Sequence, residues 1–192
     1  MANYEIPVIC KESSRGLDAL TLMSELYRTR NIFFTDDVNP ETMADLLREL
    51  MCLEMSDPGK EITIYINSPG GEVRAGLGVY DYIRSMKSPV RTVCIGMAAS
   101  MGAILFLAGE KREMYPHTQL MIHDPAAAGG GYEKPGSLFE RLERLTDLRD
   151  TLCGIIAERT GKPADEIAEI TRNDAYFKAE EAIEFGLATA IV

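Results

Sequence analysis

Tryptophan is absent from this 192-residue chain, histidine occurs only twice, and basic residues are outnumbered by acidic ones, 20 against 30. Each shortage excludes something. A net charge of −10 repels phosphate backbones and anionic lipid, so neither nucleic acid nor membrane is expected as a partner. No apolar run is long enough to span a bilayer. The opening residues, MANYEIPVICKESSRG, lack a basic segment followed by an apolar one, so no secretory signal is expected. Cys10, Cys52, Cys94 and Cys153 lie far apart and form no C-x-x-C pair. That argues against zinc or a disulfide framework and for reduced core thiols in a cytoplasmic protein. Cys94 sits within a strand-like run and reads as a small core residue. Any imidazole base must be His117 or His123.

What is present fits a soluble globular protein. The length suits one domain, residues 1–192, with a substantial core. Residues 1–16 have no clear period and read as an N-terminal arm or a small hairpin. Helical spacing at Leu17, Leu20, Met23 and Tyr27 predicts a helix over 17–30. Ile32–Phe34 reads as a strand, Asn39-Pro40 as a helix start, and Asp57-Pro58-Gly59 as its end. Ile62–Asn67 is the next strand, and a helix follows over 73–87. Strand, helix and strand in this order predict an α/β protein with parallel pairing.

The chain is organised around VRTVCIGMAASMGAILFLAG, residues 90–109. Val90–Ile95 reads as a buried strand that Gly96 breaks. Met101–Ala108 reads as an apolar helix closed by Gly109. Ser100 then sits at a strand-to-helix turn between small neighbours, as a nucleophile does, although Ala98 replaces the first glycine of G-x-S-x-G. A helix N-cap serine in a packed turn fits the same residues. Ser68-Pro69-Gly70-Gly71 forms a second strand-to-helix turn. It either aims an N–H at an oxyanion or is only a tight turn, and its spacing does not fit a P-loop.

Farther on, two short strands over 111–115 and 120–122 flank Pro116-His117-Thr118. His117 belongs to an exposed turn. His123 ends an apolar strand, where it is either a satisfied strand-end residue or a base held over a cleft. The glycine-rich stretch 126–136 reads as a flexible loop or as an edge that accepts a peptide by strand addition. Residues 137–160 form one long amphipathic helix, and its length predicts that part of it packs on another subunit. A short helix over 163–171, a turn at 173–175, a helix over 178–185 and a strand over 187–192 complete the chain.

Four blocks carry a resemblance: INSPGGEVRAG (66–76), GMAASMGA (96–103), MIHDP (121–125) and FKAEEAIEFGL (177–187). In order and spacing they resemble the ClpP family of serine peptidases, and the likeness covers nearly the whole chain. It implies the ClpP/crotonase-like fold, a spiral of ββα units with a projecting handle, here about residues 124–160. It implies heptameric rings stacked into a tetradecameric barrel that receives unfolded polypeptides from a Clp AAA+ unfoldase. It places the nucleophile at Ser100, the base at His123 and the orienting carboxylate at Asp174. The oxyanion donors it implies are the N–H groups of Gly71 and Met101. No metal or organic cofactor is expected, since ATP is consumed by the partner ATPase. Two alternatives stand beside this reading. One is a ClpP-like paralogue that mainly completes a mixed barrel with a second ClpP. The other is a crotonase-type acyl-CoA enzyme, which has no need of Ser100, His123 and Asp174 together.

Some positions depart from the family pattern. Residues 16–23 differ from the usual block after the arm. Thr63 and Ser85 stand where aromatics usually help form the pockets in which an ATPase loop docks. Asn173 stands where an arginine usually supports ring contacts, with Arg172 one place early. Met97 and Asp124 each replace a common glutamine.

Overall fold

The computed structural model describes residues 8–13, 16–126 and 134–192. Of the glycine-rich stretch 126–136, expected to be a loop or a peptide-accepting edge, residues 127–133 lie outside them, as do residues 1–7 and 14–15, and Pro135 and Gly136 belong to a helix. A hairpin of β1 (Val8–Ser13) and β2 (Gly16–Thr21) opens the described chain. Then α1 (Leu22–Arg28) leads into β3 (Asn31–Phe34). The expected helix over 17–30 is thus only α1. Thr21 caps it by accepting the Ser24 N–H at 3.0 Å, and residues 16–21 pair with β1 instead. No residue of α1 is fully buried, and its contact with the core is the partly buried Tyr27.

From β3 onward strands alternate with covering helices. The order is α2 (Pro40–Ser56), β4 (Ile62–Ser68), α3 (Val73–Ser85), β5 (Val90–Ala99), α4 (Met101–Leu107) and β6 (Lys111–Met114). Asn39 caps α2 by accepting the N–H groups of Glu41 and Thr42, both at 3.0 Å, and Pro40 fits the first turn, where its missing N–H costs nothing. The chain continues with β7 (Gln119–Ile122), α5 (Pro135–Thr160), α6 (Ala164–Ile170), β8 (Ala175–Lys178), α7 (Ala179–Phe185) and β9 (Ala190–Ile191). The seven-stranded sheet runs β3-β4-β5-β6-β9, with β7 joined to both β5 and β8. All its pairings are parallel except β7 with β8.

β5 is longer than expected. Gly96 does not end it; the register slips there instead. Ile66 faces Cys94, but Ser68 faces Ala98, so β5 carries a bulge around Gly96. The Asn67 side chain fills this bulge and accepts the Met97 N–H at 3.0 Å. A side chain on Gly96 would run into the Asn67 carboxamide, which explains the glycine. The bulge also lets β5 change partners. Arg91–Cys94 pairs with β6 and Met97–Ala99 pairs with β7. A strand that changes partners opens a crevice at its end, and Ser100 follows at that point.

Every residue of α4 is buried. A helix apolar on all sides belongs in the middle of a core, and α4 packs against α3, α5, β4 and β5. Gly109 lies beyond its end but does not cap it; Ala108 does, in ordinary helical conformation. Only Leu152, Cys153 and Ile156 of α5 are buried. Its first half leaves Leu138, Phe139 and Leu142 at 52%, 72% and 61% exposure, so the apolar stripe outruns the core available in one chain. No helix among the described residues is long and apolar enough to cross a membrane. Cys94 and Cys153 are buried as expected, whereas Cys10 and Cys52 are exposed. Both lie outside the core packing, on the hairpin and on the open side of α2.

Candidate active site

Ser100 has φ 54° and ψ −121°, a left-handed conformation that non-glycine residues avoid. Such a residue costs about 1–3 kcal/mol and persists only where its surroundings impose it. Here the Ser100 N–H donates to the Met121 carbonyl at 2.8 Å, and its own carbonyl accepts from Ala103 and Ile104 at the start of α4. The Ser100 side chain makes no capping hydrogen bond to α4. His123 Nε2 lies 2.8 Å from Ser100 Oγ.

β7 and β8 explain the third member. Ile122 faces Ala175 in their antiparallel register. His123 follows Ile122 and Asp174 precedes Ala175, so the two fall opposite each other just beyond the ladder. His123 Nδ1 lies 3.2 Å from Asp174 Oδ1, with the side chains 26% and 56% exposed. β8 was not foreseen: Asn173-Asp174-Ala175 reads as a turn, and the strand that starts at Ala175 is only four residues long, AYFK.

The diglycine turn reaches the same point. Gly70 and Gly71 have φ 95° and 147°, which side chains disfavour. Val38 bridges this turn, donating to the Gly70 carbonyl at 2.8 Å and accepting the Glu72 N–H at 2.7 Å. A parallel bridge of this kind turns Gly71's own N–H to the opposite side. The Ser68 hydroxyl accepts the Gly70 N–H at 3.2 Å and donates to the Asp36 carbonyl at 2.6 Å. A Cβ on Gly70 would lie 2.9 Å from Met101 N, so the turn abuts the start of α4. Gly76 makes room for Met101, whose Cγ would be 2.5 Å from a Cβ placed there.

A cavity of about 20 Å³ adjoins Ser100 and His123, with Val73, Met101, Ile104, Ile122, Leu152 and Ile156 in its wall. Larger clefts lie elsewhere, about 310 Å³ beside Tyr27 and Phe33 and about 460 Å³ between α2 and α3. Neither contains a serine–histidine pair, so volume does not locate the chemistry. His117 is exposed in the turn before β7, apart from Ser100. No group of three or more His, Cys, Asp or Glu among the described residues could hold a metal ion.

The family model for Clp protease matches residues 14–192. The chain belongs to the Clp protease family. Its mixed α/β architecture, with a mostly parallel sheet, is the ClpP/crotonase-like fold that the four blocks imply. Membership supports a ClpP-type peptidase.

Two supporting residues escaped the sequence reading. Asn67 fills the β5 bulge, and Thr171 fastens the loop that carries Asp174. Asn67 stands inside the INSPGG block, and that was the signal available for it. Thr171 lies in no motif, and only the fold brings it to Asp124.

Proposed function

We propose that this chain is the proteolytic subunit of an ATP-dependent Clp-type protease, hydrolysing unfolded polypeptides as a serine endopeptidase in the cytoplasm. The observation that carries this reading is the unbroken line from Ser100 through His123 to Asp174, with separations of 2.8 and 3.2 Å. His123 takes the Ser100 proton as Oγ attacks a peptide carbonyl. Asp174 fixes the imidazole orientation and stabilises its cationic form. The Gly71 and Met101 N–H groups meet the developing oxyanion, and losing such a donor costs about 3 kcal/mol in comparable sites. His123 then passes the proton to the leaving amine, and water, deprotonated by the same imidazole, releases the acyl group. No step calls for a metal or organic cofactor; ATP belongs to the partner unfoldase.

In this reading heptameric rings stack into a tetradecamer, and the open half of α5 is buried between rings. A second reading is favoured by Asn173. It is exposed where an arginine would reach across rings, and Arg172, in the turn after α6, pairs back to Glu169 of that helix at 2.9 Å. The chain would then complete a mixed barrel with a second ClpP and be weakly active alone. Labelling with a fluorophosphonate and cleavage of a short fluorogenic peptide, with and without a Clp ATPase, test both. Ser100→Ala should abolish both signals while His117→Ala leaves them largely intact. Unchanged labelling in Ser100→Ala would sink the assignment. A wild-type chain active only with a second ClpP would favour the mixed barrel.

A further inference from the structure

His123 and Asp174 are each flanked by a tie to the other's segment. On one side lies the β7–β8 ladder, with Ile122 opposite Ala175. On the other side Asp124 and Thr171 hold each other twice. The Asp124 N–H donates to the Thr171 carbonyl at 2.7 Å, and the Thr171 hydroxyl donates to Asp124 Oδ1 at 2.7 Å. The ring they close is anchored in the core. Thr171 is 1% exposed, its N–H donates to Ile167 at 2.9 Å, and Cys153 Sγ of α5 lies 3.8 Å from its hydroxyl oxygen.

We propose that Asp124 is a positioning residue, whose carboxylate, through Thr171, sets the separation of His123 from Asp174. The proposal rests on the peptidase reading of those residues. The ladder is a main-chain contact that many sequences would make. The clasp adds to a main-chain bond a second one that needs two particular side chains, and it holds the chain just ahead of the exposed residues 172–174. Asp174 is more than half exposed, so its burial cannot hold it in place. Without the carboxylate, the Thr171 hydroxyl keeps only a thiol beside it, and one end of the 172–174 loop loses its side-chain anchor. An ångström of drift at Asp174 suffices to misalign the imidazole. Through Cys153 the clasp also rests on the buried end of the long helix.

The test uses the assembled full chain, with fluorogenic-peptide kinetics, fluorophosphonate labelling of Ser100 and sedimentation. Asp124→Ala and Thr171→Val should each lower kcat by about a hundredfold at unchanged KM, since neither lines the cavity beside Ser100. The double variant should lose no more than either single one. Asp124→Asn keeps an acceptor oxygen in the same place and should restore most of the rate. Assembly size should not change. A wild-type kcat in Asp124→Ala overturns the proposal, as does an Asp124→Asn as slow as Asp124→Ala. If Asp124→Ala does not fold, Asp124→Glu displaces the carboxylate by one methylene and must show the same kcat loss; a wild-type rate there overturns the proposal. A wild-type chain that neither labels nor cleaves counts against the peptidase reading alone. The crystal structure of Asp124→Ala then decides the clasp: a His123–Asp174 separation still near 3.2 Å overturns it, and a lost contact supports it.

Discussion

A Cβ placed on Gly70 would lie 2.8 Å from the Cβ of Ser100 and 2.6 Å from the carbonyl oxygen of Ala99. Two turns from different strands therefore meet with no room for a methyl group between them. That contact joins the candidate oxyanion turn to the candidate nucleophile. Gly70 also holds φ 95°, so a side chain there meets strain as well as collision. Gly70→Ala should push the two turns apart and cut peptidase turnover by at least about tenfold, since donors act only when closely placed. It should also lower the melting temperature. Gly78 is exposed on α3 with nothing within 4 Å of its Cβ position, so Gly78→Ala is the control and should keep its activity. Wild-type turnover in Gly70→Ala would show that the turn does not contribute to catalysis.

The second prediction concerns stability away from the site. Arg112 of β6 is buried and donates to the carbonyls of Leu187, Gly186 and Arg159 at 2.8, 3.2 and 3.3 Å. Arg159 in turn donates to Leu107 and Gly109 at the end of α4, at 2.8 and 2.6 Å. Two arginines thus tie the ends of α4, α5 and α7 together through carbonyls that helices cannot satisfy themselves. Burial, with Arg159 and Arg84 nearby, pulls the Arg112 guanidinium down to about 10, so it remains charged at neutral pH. Arg112→Met should cost about 2–3 kcal/mol, because the carbonyls stay buried without a donor. Arg112→Lys should recover little, since one ammonium cannot span three separate acceptors. Urea denaturation of the three proteins measures this; an unchanged midpoint in Arg112→Met would refute it.

A pH dependence follows from Glu54 of α2. Its carboxylate accepts the N–H groups of Lys87 and Ser88 at 3.0 and 3.1 Å, pinning the loop after α3. Hydrogen bonding from Ser88, chiefly, holds this carboxyl below its ordinary 4.5. A group depressed in the folded state stabilises it above the unfolded value, and that stabilisation is lost as pH falls through the folded value. Wild type should therefore lose stability below about pH 4.5 more steeply than Glu54→Gln. Denaturation curves at pH 7, 5 and 3.5 compare the slopes, and parallel slopes would contradict the sign.

The uneven legibility of the chain has physical reasons. Asn39-Pro40, the β-branched strands and Gly161 declare their conformations locally, because caps, branching and a left-handed φ are residue properties. Ser100 and His123 stood out because each ends a strand, which is where an α/β sheet presents chemistry. The bulge in β5 was hidden because Gly96 alone reads as a breaker, and only Asn67, from another strand, turns it into a continuation. Around Leu17–Arg30 the period overstated the helix because residues 16–21 are taken into the pairing with β1. The role of Asp174 came from family likeness, not pattern. Its partner is 51 positions away, and the strand that places it is four residues long.

The last prediction concerns assembly. The family resemblance implies an arginine beside the carboxylate proposed as catalytic, where a guanidinium could make a bidentate ion pair across the proposed ring interface. Asn173 has neither the charge nor the reach. Arg172, in the turn after α6, pairs instead with Glu169 of that helix at 2.9 Å, and both side chains are about two-thirds exposed. Under the proposed ring assembly, the surface left to join two rings is the open stripe of Leu138, Phe139 and Leu142 on α5. An apolar stripe associates without directional charge pairs, so rings should meet but hold weakly at low concentration. Sedimentation velocity across a dilution series should show tetradecamers giving way to single rings or smaller species, with peptidase activity falling in parallel. Asn173→Arg should move that transition to lower concentration and raise activity there. Phe139→Asp should abolish the double ring outright. A wild-type tetradecamer that persists on dilution and is fully active alone would show that Asn173 is harmless variation and that the α5 stripe suffices.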